Sequence, residues 1–265
     1  MNFRVCIVVP VFNHGERAIQ LAHQLAPFDL QTFMVNDGCD AKSRAALHDI
    51  KNRYSWIQIL DHLENQGKGA AVLTGLNAAL AQGYSHAVQI DADGQHDPDD
   101  IPRFLALAKA NPNAVIAGCP EYSSAVPKGR LYSRYITHAW VWVETLSFTI
   151  RDSMCGFRVY PLSPVIRLAN TVRLGHRMDF DIEILVRLHW EGVPIVSQST
   201  KVSYPTDGQS HFRLWRDNCL ISWMHTRLVF GMLWRVVGFR MKYSRSKEIK
   251  GAKATSAIIR VTGRA

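Results

Sequence analysis

Four times in its first ninety or so residues the chain passes from a short run of β-branched and apolar side chains into a stretch suited to a helix. The strand-like runs are Val5 to Val9, Thr32 to Val35, Trp56 to Leu60 and His86 to Ile90. Glu16 to Leu25, Ala41 to Ile50 and Gly67 to Ala81 follow the first three, and Asp97, Asp99 and Asp100 mark a helix start after the fourth. Continuous apolar runs, as opposed to alternating ones, are the pattern of strands buried on both faces. Strand-to-helix alternation with loops of a few residues predicts an α/β fold with a mostly parallel, doubly wound sheet and right-handed crossovers. Such sheets bind ligands outside the carboxyl ends of their strands. That rule selects Pro10 to Asn13, Asn36 to Gly38 and Asp91 to Gln95 as the places to look for function.

The second half is less regular. Arg130 to Ile150, rich in Trp140, Trp142 and Phe148, fits a helix, as does Phe180 to Glu191, closed by Gly192 and Pro194. Ile195 to Tyr204 suggests one or two more strands. The net charge of +9 is concentrated from Arg213 onward and calls for an anionic partner, a demand that nucleic acid, anionic lipid or a phosphorylated substrate would each meet. Five cysteines, odd in number and without a CxxC pair, argue for reduced thiols in a cytoplasmic setting and against a zinc site or disulfide framework. The N-terminus enters a strand too soon for a signal peptide.

Asp91-Ala92-Asp93 is the strongest chemical element. Two carboxylates two positions apart beyond a strand end can converge on one hard cation where the chain bends. Mg²⁺ takes one or two protein carboxylates and fills its shell with phosphate and water. A departing diphosphate needs such an ion. Asp97, Asp99 and Asp100 read instead as helix-capping acids. Lys68, on a glycine-flanked turn, suits a phosphate at a helix start and equally a solvated position.

Ile7-Val8-Val9-Pro10-Val11-Phe12-Asn13, Val35-Asn36-Asp37-Gly38, Asn65-Gln66-Gly67-Lys68-Gly69 and Asp91-Ala92-Asp93 occur in that order, and the chain resembles a family 2 glycosyltransferase of the GT-A fold. Within that family it is most similar to the dolichol-phosphate mannosyltransferase and polyprenyl-phosphate sugar transferase branch, over about Val5 to Tyr204. The resemblance implies a nucleotide-diphosphate sugar donor, Mg²⁺ or Mn²⁺, a lipid or polyprenyl-phosphate acceptor, and displacement with inversion. It places Pro10, Phe12 and Asn13 beside the base, Asp37 as hydrogen-bond partner of the base, Lys68 near the phosphates, Asp91 at ribose or metal, Asp93 on the metal, and Gln95 beside the sugar-phosphate. Asp152-Ser153-Met154-Cys155-Gly156-Phe157-Arg158 is similar to an Asp-x-x-Ser-Gly-Phe-Arg segment of that branch. Asp152 is then the candidate base or an acceptor-side orienting group, and Arg158 a partner for anionic oxygen. A phosphate acceptor needs no proton removed, whereas a hydroxyl does. Phe180-Asp181-Ile182-Glu183 resembles a helix start whose carboxylates face the cleft, although acids there also suit the helix dipole. Gly208 to Arg213 resembles a Gly-x-Ser-Lys loop that closes over the diphosphate. His211 replaces the lysine, with Arg213 as an alternative cation. His14 stands where the family pattern has Glu, which leaves the base open.

Residues 1–212 are thus expected to form the GT-A domain, 213–240 an amphipathic, membrane-interfacial helix, and 241–265 a basic mobile tail, with the protein peripheral on the inner face of the membrane. Arg227 and Arg235 inside the apolar stretch argue against a transmembrane span, and the alternative is a helix packed on the protein's own core. A nucleotidyltransferase and a nucleic-acid binder are the rival readings. The first lacks a Gly-rich, basic loop after the first strand, the second any zinc, RNP or helix-turn-helix pattern, so no nucleic acid is expected.

Overall fold

The structure, a computed structural model, describes residues 3–121, 128–202 and 215–237. A seven-stranded sheet in the order β3-β2-β1-β4-β6-β5-β7 forms its centre. The strands are β1 (Val5–Val11), β2 (Thr32–Asp37), β3 (Ile57–His62), β4 (His86–Gln89), β5 (Val115–Glu121), β6 (Arg158–Pro161) and β7 (Ile195–Lys201). Among the described residues only β6 runs against the others, pairing antiparallel with both β4 and β5. β1, β2, β3 and β4 are mutually parallel, and so are β5 and β7. Helices α1 (Gly15–Leu25), α2 (Ala41–Arg53), α3 (Lys68–Ala81), α4 (Ile101–Ala110), α5 (Lys128–Thr145), α6 (Leu162–Thr171) and α7 (Phe180–Trp190) are joined by α8 at 215–237. The mostly parallel sheet and the C-terminal helix are those the sequence predicted.

The continuous apolar runs lie where their composition sends them. Cys6 to Val9 and Phe33 to Val35 are wholly buried, with α1 and the α4 residues Ile101, Phe104 and Ala108 closing one face of the core. Buried thiols resist ionisation. Burial pushes Cys6 up to about 12, and burial together with the Asp152 charge does the same to Cys155. Because the thiolate is the reactive form, iodoacetamide is expected to alkylate exposed Cys219 in the native protein well before Cys6 or Cys155. Peptide mass spectrometry would detect this, and equal rates would contradict it.

The second half departs from expectation in detail. β5, which carries Gly118, Cys119 and Pro120, has no counterpart among the expected strands, and β6 pairs with it at Ile116 and Ala117, before the proline. β6 is four residues long and holds an arginine and a tyrosine, too short and too polar for a periodicity signal. α5 stops at Thr145, short of Ile150, because Leu146 takes a left-handed conformation with φ 49. Ile195 to Tyr204 gives one strand through Lys201, and Val202 adds an isolated bridge to His96.

The described residues form two compact units that meet in sequence between His225 and Thr226. In the larger unit the first half of α8 is pinned by a buried pair, His225 Nδ1 to Glu144 Oε1 at 2.7 Å. α5 presents Tyr132, Ile136, Trp140 and Val143 to solvent, followed by Leu146 and Phe148. In the second unit Phe230, Leu233, Trp234 and Val237 are exposed. No helix among the described residues is long and apolar enough to cross a membrane.

Candidate active site

A cleft of about 550 Å³ opens at the carboxyl ends of the parallel strands, where the topology requires it. Pro10, Val11, Phe12 and His14 line it at and after the end of β1, Asp37 at the end of β2, Asn65, Gly67 and Lys68 after β3, and Asp91, Ala92, Asp93 and Gln95 after β4. Arg177 and Met178 before α7 and Arg216 and Asp217 at the start of α8 complete the wall.

Asp91 and Asp93 lie side by side in this cleft. Lys68 Nζ meets Asp91 Oδ2 at 2.7 Å and Asp181 Oδ2 at 2.6 Å. Burial works against the Asp91 charge, but the Lys68 ammonium and His96 together outweigh it and hold that carboxyl well below its usual range. Asp93 is shifted the other way, first by burial and then by the charge of Asp91. Its Oδ1 accepts from the Gln95 amide at 3.0 Å, which bends the chain and leaves the Gln95 side chain in the cleft. Asp91 Oδ1 is buried without a hydrogen-bond partner. No group of three or more His, Cys, Asp or Glu among the described residues could cage a metal alone. Two adjacent carboxylates, one with an unpartnered buried oxygen, suit a hard cation that brings its own phosphate and water ligands.

Asp181 does face the cleft cluster, as the sequence suggested. Its Oδ1 accepts from Gln89 Nε2 at 3.2 Å and lies 3.7 Å from Arg158 Nη1. Glu183 turns away instead, taking Arg187 Nε at 2.8 Å and the Gly175 amide at 2.8 Å.

Three of the expected site residues have other partners in the folded chain. Arg158 does not line the cleft. It is fully buried, and its guanidinium donates to the carbonyls of Cys155, Ser153 and Asp181 and to the Tyr160 hydroxyl at 2.8 to 2.9 Å. Asp37 reaches the cleft wall, but its carboxylate is already occupied. Oδ1 accepts from the Gln66 amide at 2.8 Å and faces His62 Nδ1 at 2.9 Å, while Oδ2 accepts from Asn65 Nδ2 at 2.8 Å and the Gly67 amide at 2.9 Å. Asn13 does not line the cleft. With φ 55, a conformation asparagine tolerates, it accepts from the Asp40 amide at 2.8 Å and fastens the β1 turn to α2.

Asp152 sits apart from the cleft lining, 3% exposed. Arg134 grips it with two bonds of 2.6 and 2.7 Å, His138 Nε2 stands 3.4 Å away, and the Met154 and Cys155 amides donate to it. Burial would raise its pKa, but His138 and Arg134 hold the carboxyl well below its normal range. His211 and Arg213 lie outside the described residues.

Arg177 and Arg216 were not anticipated, and Asn65 had been given no role within its motif. Arg177 Nη1 donates to Asn65 Oδ1 at 3.2 Å. That approach depends on Gly67, whose φ of 105 and missing Cβ let the His176 carbonyl close over it. Gly67 was the available signal.

The model of glycosyl transferase family 2 matches residues 6–170, more than half of the chain. The chain belongs to that family. This glycosyltransferase is 25% identical over 212 residues to an uncharacterised protein of Methanocaldococcus jannaschii, covering 77% of this chain and 90% of the relative. It is 24% identical over 172 residues to polyprenol monophosphomannose synthase of Mycolicibacterium smegmatis, covering 59% of this chain. It spans only 61% of that synthase's length. Its fold matches glucosyl-3-phosphoglycerate synthase from Mycobacterium tuberculosis, solved with Mn²⁺, UDP-glucose and phosphoglyceric acid, with a TM-score of 0.63 at 12% identity over 89% of this chain and 80% of that one. The GT-A fold expected of the glycosyltransferase is thereby shown.

Proposed function

We propose that this glycosyltransferase moves a sugar from a nucleotide-diphosphate donor to a lipid-linked or polyprenyl-phosphate acceptor at a membrane surface, with inversion, using Mg²⁺ or Mn²⁺. The observation that carries the reading is the Asp91–Asp93 pair in the cleft, with one buried carboxylate oxygen left unpartnered beside Lys68. When bound, the cation supplies positive charge against which the diphosphate leaves. Pro10 and Phe12 offer apolar surface to the base, Gln95 borders the sugar-phosphate, and Arg177 and Arg216 add positive charge to the cleft. An ionised phosphate acceptor fits a chain whose candidate base, Asp152, is held too acidic to take a proton near neutrality. Asp152 then orients Arg134 and His138.

A membrane partner is favoured by the solvent-facing Tyr132, Ile136, Trp140 and Val143 of α5, by Trp223 and Trp234 on α8, and by the basic surplus. The name of the Mycolicibacterium relative supports a polyprenol acceptor. The assignment of 1–212 as catalytic domain, 213–240 as interfacial segment and 241–265 as basic tail, on the inner face of the membrane, belongs to the same proposal; residues 241–265 lie outside the described residues.

Thermal unfolding with a panel of nucleoside diphosphates and Mn²⁺ tests the donor. A nucleotide at about 100 times its Kd should stabilise by about 2.7 kcal/mol. Stabilisation by nucleic acid and by no nucleotide would refute the reading. Sedimentation with anionic phospholipid vesicles tests the surface: Trp223→Ser with Trp234→Ser should weaken binding several-fold, and unchanged binding would remove α8 from it.

A further inference from the structure

We propose that Lys68 is a built-in stand-in for the divalent cation, and that Asp181 is the positioning residue that draws it off Asp91 when the metal arrives. This rests on the metal reading of Asp91 and Asp93 above.

Lys68 is ill placed to serve only as a free cation for phosphate. Its ammonium lies between two carboxylates, 2.7 Å from Asp91 Oδ2 and 2.6 Å from Asp181 Oδ2. Paired in this way, Asp91 and Asp181 share one compensating charge without any ion. The arrangement is also asymmetric at Asp91, where Oδ2 takes the ammonium and Oδ1 keeps no hydrogen-bond partner. A metal approaching that carboxylate therefore competes with Lys68 for one negative charge.

Asp181 gives the displaced ammonium somewhere to remain. Its Oδ1 is fixed by Gln89 Nε2 and stands near the buried Arg158, so Oδ2 is held towards Lys68. Gly156 closes the other side. A Cβ on it would collide with Asp91 Oδ2 and stand 2.7 Å from Lys68 Nζ, so the backbone packs directly on the pair and little sideways escape is open. Lys68 and Asp181 thus set the cation affinity of Asp91 and Asp93 with opposite signs.

Electron paramagnetic resonance of free Mn²⁺ in titrations of the full chain, without nucleotide, reads this directly. Lys68→Met should tighten Mn²⁺ binding about tenfold, since a competing charge is gone, and Asp181→Asn should weaken it about tenfold, since Lys68 then falls wholly on Asp91. Thermal unfolding accompanies each titration, and each variant tests the proposal independently if the other does not fold. Groups that merely hold the cleft in shape would weaken Mn²⁺ binding in both variants, and that result, or no change in either, overturns the proposal. If the wild-type chain binds no Mn²⁺ even with nucleoside diphosphates present, the metal reading itself falls and this inference with it. If the wild type binds and the signs fail, only this inference falls.

Discussion

Replacing Asp93 by alanine is expected to lower sugar transfer at least about a thousandfold, the scale on which a pre-placed charge acts on a departing anion, while the fold survives. The two halves of that expectation have different origins. The carboxyl is buried beside Asp91 and pushed towards its neutral form by burial and by that neighbour, so without a cation its charge is a burden to the folded chain. Its removal forfeits the single bond from the Gln95 amide, about 1 kcal/mol, and relieves repulsion in exchange. Asp93→Asn retains an acceptor for that amide and separates the turn from the charge. Initial rates with a radiolabelled donor, alongside melting curves, provide the measurement. Transfer that persists in the alanine variant, or in wild type with excess chelator, would take the metal out of the reaction.

The second large effect falls on stability. Arg158→Met should destabilise the protein by about 3–5 kcal/mol, the cost of breaking a buried charged network on one side. The methionine fills most of the volume but leaves the carbonyls of Ser153, Cys155 and Asp181 and the hydroxyl of Tyr160 without their donor. Three of these groups belong to the segment from Asp152 into β6, and the fourth to α7, so the guanidinium ties that segment to the helix carrying Asp181. Urea unfolding followed by circular dichroism would register the loss. A variant with wild-type stability and a reduced rate would return Arg158 to the substrate.

The first half of the fold was readable largely because β1, β2 and β4 are buried on both faces. Val5 to Val9 and Thr32 to Val35 need no alternation, and their apolar runs stand out against the polar turns that follow. β6 could not stand out: in four residues, Arg158 and Tyr160 bond each other inside the protein, a pairing that exists only once the sheet has formed. The cleft divides in the same way. Asp91, Asp93 and Lys68 were legible because they follow strands in local sequence. Arg177 reaches the cleft through Asn65, 112 positions away, and nothing local to Arg177 marks it. Asp37 illustrates the converse case. Its position after β2 was read correctly, but the donors that fill its carboxylate come from the next loop, and only the folded chain reveals that they arrive before any ligand does.

That filled carboxylate has a consequence for recognition. Asp37 lashes Asn65, Gln66 and Gly67 to the end of β2, so the wall where a base would rest is rigid before a donor enters. Little conformational entropy remains to be lost along that edge. Discrimination between nucleobases there should come from the shape of a finished mould, with no folding step to reward the correct one.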